Sequence, residues 1–412
     1  MRAFNPTAPP GDVIEAGLVC EDLQRFLFRN LAGRADLEPG SQQLLVGGVG
    51  SGKTTELLLA ERWLREQGHV LPLYIDISAE TDLSSVNSGS LLASFGLHLA
   101  QRLPADLQAP TPNPDRSERL KKAYNKVREY AYGKEEILSS HLADWDRMMQ
   151  VSMEAFRHVF TFQPQVVRNI PGKLKPKPPI PALSRDIQEI RAPLDEFLAI
   201  AREILEDIVV IFDGLDRLLD PTKFWSVAHQ DLRLLREIKV SVVATAPISV
   251  LFGTSLGQSV ADHFDRVHHL PVIAFDPENG SLRSVLEKRH AHELMSRTEA
   301  DTICRYSGGV LRDLISLARD AAEEAYISDH HSVTAADVDK VVRQLGVGYL
   351  RGLGPEAIKI LFDLENSGSF RVDQPANVEL LLTRRVLEYS STDFRAHPAL
   401  LSVMPRPEAK GA

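Results

Sequence analysis

Short apolar runs alternate with amphipathic segments along much of the chain. The runs predict strands at 44–46, 70–77, 208–212, 240–244 and 267–273, and the segments between them predict helices that begin near Lys53, Asp195 and Lys223. Because the runs are apolar on successive positions, both faces of the predicted strands should be buried. The pattern therefore predicts an α/β fold with a mostly parallel sheet covered by helices on both sides. Pro72 predicts an edge position for the second strand, since proline cannot donate to a neighbouring strand.

Two regions depart from this alternation. Residues 104–193 predict amphipathic helices at 116–132 and 136–162 and then a proline-rich stretch, and we expect them to be an insertion. After Pro277 the pattern is helical, at 282–294, 299–306, 310–326 and 335–345, with Thr334 as the N-cap of the last helix. Helices at 355–366 and 378–388 and a β-like close at 394–403 follow. The expected domains are an α/β domain of 1–103 with 194–277, the insertion 104–193, a helical segment 278–348 and a C-terminal module 349–412.

Composition excludes few classes of protein. The 412 residues are 43% hydrophobic and 25% charged, which is ordinary for a globular protein. The formal charge of -9 argues against nucleic-acid binding by electrostatic attraction along the whole chain. Cys20 and Cys304 are too few for a zinc cluster or a disulfide framework. No apolar run approaches the roughly 18 residues of a membrane span, and prolines interrupt the start of the chain, so we expect a cytoplasmic protein with no membrane contact.

A glycine-rich loop follows the first predicted strand. The pattern Gly47-x-x-x-x-Gly52-Lys53-Thr54 matches the phosphate-binding P-loop and lies between a strand and a helix. Glycines let backbone N–H groups point at phosphates, the lysine neutralises them, and the helix start adds the positive end of its dipole. We expect this loop to bind ATP and Mg²⁺, with the Thr54 hydroxyl as one ligand of the metal. The expected nucleotide-binding residues are Gly47, Gly48, Val49, Gly50, Ser51, Gly52, Lys53, Thr54 and Thr55.

A carboxylate ends the third predicted strand. Asp213 follows the strand 208–212 and is the expected second ligand of Mg²⁺. Many P-loop ATPases place a glutamate next, to orient the attacking water, but this chain has Gly214. Asp216 is the nearest substitute, and we weigh two roles for it, the water-polarising base or a helix N-cap ahead of Arg217.

These motifs resemble those of AAA+-type ATPases. The resemblance rests on the P-loop, on the sequence Ile-Phe-Asp-Gly-Leu-Asp at 211–216 and on the Gly-Gly-x-x-Arg pattern that ends at Arg312. It is closest in form to the STAND and NACHT-like signalling ATPases, whose second acid stands in for the missing glutamate, and to the origin-initiator-like branch. The resemblance implies a nucleotide-binding domain, a helical lid at 278–348 and a winged-helix-like C-terminal module.

The resemblance also implies three further catalytic residues beside Lys53, Asp213 and Asp216. Thr245 would be a polar sensor, although a strand-end hydroxyl is the alternative. Arg312 would reach from the lid to the nucleotide, or be a solvated helix residue. Arg266 would be a finger that completes a neighbour's active site, or would pair with Asp262 or Asp265 on the surface.

Function follows from these expectations in two versions. The first is an ATP-binding, slowly hydrolysing molecular switch that forms a homo-oligomer with ATP and controls a separate effector protein, resembling components of prokaryotic defence systems. The second is a DNA-binding initiator or loader. Its DNA contacts would come from 155–185, a stretch with basic residues and no acids, or from the C-terminal module with Arg384 and Arg385. For the basic stretch we favour a solvated proline- and lysine-rich linker over a binding arm. His397 of that module is either a phosphate sensor or a satisfied surface or core histidine.

Overall fold

The computed structural model describes most of the chain. The described residues are 27–106, 114–132, 186–203, 207–218, 221–251, 262–278, 280–372 and 374–405, with the single positions 4, 14 and 260. The predicted helix at 136–162 and the basic stretch 155–185 lie outside the described residues.

Five parallel strands form the central sheet. They are β1 (Gln42–Val46), β2 (Val70–Asp76), β3 (Asp207–Asp213), β4 (Ser241–Ala246) and β5 (Arg266–His269), and their order is β2-β3-β4-β1-β5. Every neighbouring pair is parallel. The predicted α/β fold is confirmed, and Pro72 lies in an edge strand as predicted. The last strand is shorter than predicted: it ends at His269, opposite the last residue of β1, and the N–H of Val272 donates to the Glu388 carbonyl of the C-terminal module.

Helices cover both faces of this sheet. One face packs on α1 (Leu27–Leu37) and α2 (Lys53–Gln67), and the other packs on helices that include α3 (Ser90–Asp106), α4 (Pro114–Tyr132) and α5 (Gln188–Ala201). Alternate strand residues separate between the two cores: Leu45 and Val243 join the first, whereas Leu44 and Val242 join the second. The apolar runs of the sequence therefore reflect burial on both faces.

The described part of the expected insertion is built into the α/β domain. Helix α4 packs against α3 and α5 and buries Ala123 and Val127 in the main core. Helix α5 begins at Gln188, so it crosses the expected boundary at 193/194, with Pro193 inside the helix. The division into domains stays a prediction. The helix predicted from Lys223 is observed as α6 (Pro221–Val227) and α7 (Arg233–Glu237), joined by a π-helical segment Ala228–Leu232.

The lid is helical, as predicted. Its helices are α8 (Ser281–Glu287), α9 (Arg297–Tyr306), α10 (Leu311–Ile327) and α11 (Ala335–Leu350). Thr334 is the N-cap of α11 and forms a capping box with Asp337, which confirms that prediction.

The C-terminal module contains helices and a two-stranded antiparallel ribbon. Its elements are α12 (Pro355–Ser367), α13 (Pro375–Leu382), β6 (Val386–Glu388), β7 (Phe394–Ala396) and α14 (Pro398–Leu401). The second helix was predicted to reach 388, but it ends at Leu382 because Arg384 adopts a left-handed φ of 61°. The β-like close ends at Ala396, since the His397 side chain caps a helical turn that begins at Pro398. The winged-helix assignment stays a prediction.

In the part of the chain that the structure describes, no helix is both long enough and apolar enough to cross a membrane.

Candidate functional site

The P-loop lies at the carboxyl end of β1, between β4 and β5 in the sheet. Gly50 and Gly52 have φ angles of 86° and 100°, values that L side chains rarely adopt. Gly47 is constrained differently: a Cβ there would lie 2.3 Å from the carbonyl oxygen of Leu270. The glycines of the motif are therefore required by backbone conformation and by close packing, and they form a compact backbone cradle ahead of α2.

Lys53 is buried at the base of this loop. Its Nζ donates to the carbonyl oxygens of Gly47 at 2.8 Å and Gly48 at 2.9 Å. The same Nζ forms an ion pair with Asp216, with 2.9 Å between Nζ and Oδ2. All three ammonium hydrogens therefore have an acceptor, and Asp216 supplies the only negative charge among those acceptors.

The remaining loop residues suit a phosphate ligand. The hydroxyl of Ser51 is buried and has no hydrogen-bond partner within the described structure, and a buried polar atom of this kind normally finds one. Gly48 and Val49 complete the turn, and Thr55 lies in the first turn of α2, all three half-buried. An orphaned hydroxyl inside a glycine cradle at a helix start fits a bound triphosphate.

Asp213 lies at the end of β3 with its carboxylate buried. It accepts hydrogen bonds from the hydroxyl of Thr54 and from the phenol of Tyr74, 2.8 Å away. Burial raises the pKa of Asp213 above its ordinary value, the nearby charge of Asp216 raises it further, and the hydrogen bonds oppose the rise. Burial and the nearby charge of Asp213 also raise the pKa of Tyr74. The phenol therefore stays protonated and donates a hydrogen bond to Asp213. A carboxylate and a hydroxyl meeting in this way are hard oxygen ligands that suit Mg²⁺.

Asp216 lies in a short turn that Thr245 holds in place. The turn Leu215–Arg217 follows Gly214, whose φ is 85°. The N–H of Leu215 donates to the Thr245 hydroxyl at 3.1 Å. Asp216 is therefore inside the turn and directed at Lys53, and it does not form the helix N-cap that was the alternative. Thr245 is fully buried inside β4 rather than beyond it, and its sensor role stays a prediction.

The start of the lid helix α10 packs directly on the P-loop. Leu311 N–H donates to the Gly50 carbonyl at 3.2 Å, and the Cβ of Arg312 lies 3.6 Å from where a Gly50 Cβ would be. Gly309 permits this approach, because a Cβ there would lie 1.8 Å from the carbonyl oxygen of Ile273. The predicted lid arginine thus sits at the loop with an exposed side chain.

Arg266 begins the edge strand β5 and is exposed. The surface pairing considered for it is not observed, because Asp265 pairs instead with Arg236 at 2.6 Å and accepts the N–H of Gln42 at 2.7 Å. Within the described residues no ion pair involves Arg266. An exposed, uncommitted guanidinium at this edge is compatible with the predicted finger.

A buried polar cluster joins the lid to the C-terminal module, and the sequence pattern did not indicate it. Asp313, next to Arg312, is bound by Arg384 Nη1 at 2.8 Å and by the phenol of Tyr349 at 2.5 Å. His397 is fully buried with its Nε2 3.4 Å from an Asp313 oxygen. His397 is thus a core histidine packed against α10.

The structure is an α/β domain with a P-loop at the end of β1, an acid at the end of β3 and a helical lid that packs on the loop. No protein-family model matches the sequence, and no curated protein matches it. Several solved structures are distantly similar.

The Aeropyrum pernix ORC2 protein, in ADPNP–ADP complexes, shares 14% identity at a TM-score of 0.45 over 97% of this chain and 94% of that one. The Aeropyrum pernix ORC1 protein in complex with DNA shares 17% identity at a TM-score of 0.42 over 91% and 80%. The Thermotoga maritima RuvB Holliday junction branch migration motor shares 12% identity at a TM-score of 0.39 over 90% of each chain. At these values the likeness is distant, and the fold assignment rests on the sheet and the site.

Proposed function

We propose that the protein is a Mg²⁺-dependent P-loop ATPase of the AAA+ type that works as a nucleotide-driven switch. One observation carries the proposal: the first turn of α10 contacts the P-loop through Leu311 and the C-terminal module through Asp313. A change at the loop would therefore reach the module through one helix. Helix α10 is the element whose position ATP and ADP would set differently.

ATP binding competes with an existing ion pair. A phosphate brings negative charge to Lys53, where Asp216 is the present counter-charge. Displacement of Asp216 would release the turn Leu215–Arg217, which lies directly after the metal carboxylate. The nucleotide would thereby affect two elements, this turn and the lid.

Hydrolysis would use the charges that the loop and strand ends provide. Lys53 and Arg312 would stabilise the negative charge of the transferring phosphoryl group, and Arg266 would do so from a neighbouring copy. Thr54 and Asp213 would hold Mg²⁺, which supplies Lewis-acid polarisation of the phosphate oxygens when bound. A homo-oligomer that assembles with ATP follows from the role of Arg266.

The output of the switch would be the C-terminal module, which would act on a separate effector protein of the kind found in prokaryotic defence systems. A DNA-binding initiator shares the same switch and differs in its partner. Arg384 and Arg385 do not favour the DNA version, because Arg384 pairs with Asp313 and Arg385 donates to the carbonyls of Tyr349 and Arg351. DNA contact would then depend on 155–185.

ATP binding and turnover test the proposal. Lys53→Ala should weaken binding of a fluorescent ATP analogue about 10- to 100-fold, from the loss of charge-assisted hydrogen bonds, and should abolish hydrolysis. Lys122→Ala is the matched control, because that lysine is 72% exposed and forms an ion pair with Glu118 on its own helix. Hydrogen exchange of α12–α14 should differ between ATP and ADP. ATP binding without any such difference would refute the switch.

The partner is tested separately. Titration with duplex DNA at two salt concentrations should show no specific binding if the effector is a protein, and co-purification should recover that protein. Salt-dependent DNA binding that Lys173→Ala, Lys175→Ala and Lys177→Ala together weaken would instead support the initiator version.

A further inference from the structure

A second carboxylate lies beside the metal acid, at the end of the edge strand β2. Asp76 is the register partner of Asp213 in the neighbouring strand. Parallel neighbours lie roughly 4.8 Å apart, so both acids lie at the carboxyl edge of the sheet, where the P-loop also begins. Sequence motifs did not single out Asp76, since it follows a strand that carries no recognised signature.

The space beyond Gly214 explains why no glutamate follows Asp213. A Cβ on Gly214 would lie 2.9 Å from Asp76 Oδ1 and 2.9 Å from both the Cβ and the backbone nitrogen of Ser78. The φ of 85° adds strain for any other residue. The turn from Asp76 to Ser78 therefore occupies the space that the side chain of an acid at position 214 would need. The Asp76 carboxylate lies in that space instead.

The Asp76 carboxylate is held by one oxygen and open at the other. Oδ1 accepts the Ser78 N–H at 3.0 Å and the Ser78 hydroxyl at 2.6 Å. Arg217 Nη1 donates to the same hydroxyl at 2.8 Å, which fixes Ser78 in turn. Within the described residues Oδ2 accepts no hydrogen bond, and the side chain is half-buried.

Asp216 is less suited to the base role that the sequence suggested for it. Its Oδ2 is 2.9 Å from the Lys53 ammonium, where it is the counter-charge that a phosphate would displace, and this accounts for the carboxylate without a role in proton transfer. Within the described residues no ion pair involves Asp76, which lies in the strand on the other side of Asp213.

We propose that Asp76 is the carboxylate that orients the attacking water, and this rests on the proposed ATPase function. Its Oδ2 accepts a hydrogen bond from the water. The water oxygen forms a bond to the γ-phosphorus as the bond from phosphorus to the β–γ bridging oxygen breaks. The water proton passes to Asp76 and then to solvent, leaving ADP and inorganic phosphate.

Asp76→Asn tests the proposal without removing the turn. Asparagine caps as well as aspartate, and its amide oxygen still accepts from Ser78, whereas the charge is lost and an NH2 donor replaces the Oδ2 acceptor. The expected result is a kcat at least 100-fold lower, within the range for general base catalysis, with KM and ATP affinity within about threefold of wild type. Ser78→Ala, which removes the hydroxyl donor to Oδ1 but keeps the backbone N–H and the acid, should lower kcat about tenfold by loosening the position of Asp76.

Asp82→Asn is the matched control. Asp82 forms the same kind of turn, accepting the Ser84 N–H at 2.9 Å and the Ser84 hydroxyl at 2.7 Å, and it is exposed. It should leave kcat unchanged. Asp216→Asn should change ATP affinity more than kcat, because it removes the competitor for Lys53.

The outcomes separate the two proposals. A kcat of Asp76→Asn within threefold of wild type overturns the water-orienting role, and so does a loss of ATP affinity equal to the loss of turnover. Loss of hydrolysis in Asp216→Asn alone returns the role to Asp216. A wild-type chain that binds ATP without hydrolysing it removes the Asp76 proposal and leaves the switch, whereas one that does not bind ATP removes the proposed function itself.

Discussion

Asp313 connects the lid helix α10 to the C-terminal module, and Asp313→Asn should weaken that connection. The side chain is only 6% exposed and contacts Arg384, Tyr349 and His397. Asparagine keeps the volume and one acceptor but loses the charge, and hydrogen bonds to a charged group contribute about 1.5–3 kcal/mol each. Because the Arg384 side chain is 24% exposed and can regain water, we expect a loss of about 2 kcal/mol in the free energy of unfolding.

The pair with Arg384 can be isolated by a double-mutant cycle. Arg384→Met alone should also cost about 2 kcal/mol, since it leaves a buried acid without its guanidinium. The double variant should cost about 2.5 kcal/mol rather than the sum, which gives a coupling of about 1.5 kcal/mol. Asp320→Asn is the control, because that acid lies on the same helix and is 39% exposed.

The assay is chemical denaturation, with hydrogen exchange of α13 and α14 as a local readout. Asp313→Asn should raise exchange in these helices selectively. Additivity of the two single variants within about 0.5 kcal/mol would refute a coupled pair. Unchanged exchange in the module would refute the connection itself.

The same residue predicts a pH dependence. Burial raises the pKa of Asp313, but the nearby His397 imidazole and Arg384 guanidinium outweigh it, so the folded pKa lies below the ordinary 3.8. The unfolded chain therefore takes up this proton first as pH falls. The stabilisation is fully present above about pH 4 and is lost as pH drops through the folded pKa. The difference in stability between wild type and Asp313→Asn should shrink below about pH 4.

Two further predictions address the oligomer and the core. Arg266→Ala should lower turnover, and mixing it with Lys53→Ala should restore part of the activity, because each variant supplies the group the other lacks; no recovery would exclude a finger acting between copies. Asp231→Ala should lower the unfolding free energy by about 2–4 kcal/mol, since it orphans the buried N–H groups of Gly89 and Leu91, 2.6 and 2.9 Å from the carboxylate. A thermal melt within 1 °C of wild type, against an expected drop of several degrees, would contradict this.

Features that depend on residues close together in the chain could be predicted from the sequence. The apolar runs predicted the strands and the parallel sheet, because burial on both faces leaves no polar alternation. The P-loop and the acid at Asp213 were readable because their chemistry depends on residue types at fixed spacing along one segment. Thr334 was readable as a cap for the same reason.

Errors arose where a single residue's conformation or a distant contact decided the outcome. The second helix of the C-terminal module ends early because Arg384 turns left-handed to reach Asp313. Pro193 is tolerated inside α5, although the pattern placed a boundary there. The hydrophobic periodicity of these two segments did not indicate the left-handed Arg384 or the helical Pro193.

The residue pattern alone indicated which segments form the sheet and which loop carries the phosphate-binding motif. The folded chain shows that Asp76 lies beside Asp213 with one oxygen that accepts no hydrogen bond within the described residues, and that Asp216 pairs with Lys53. It also shows that the acid after the lid arginine binds the C-terminal module. The physical reason is that charge pairs and steric exclusion, such as that between Gly214 and Asp76, act between residues far apart in the chain. Their spacing is set by how strands and helices pack, and no local pattern records it.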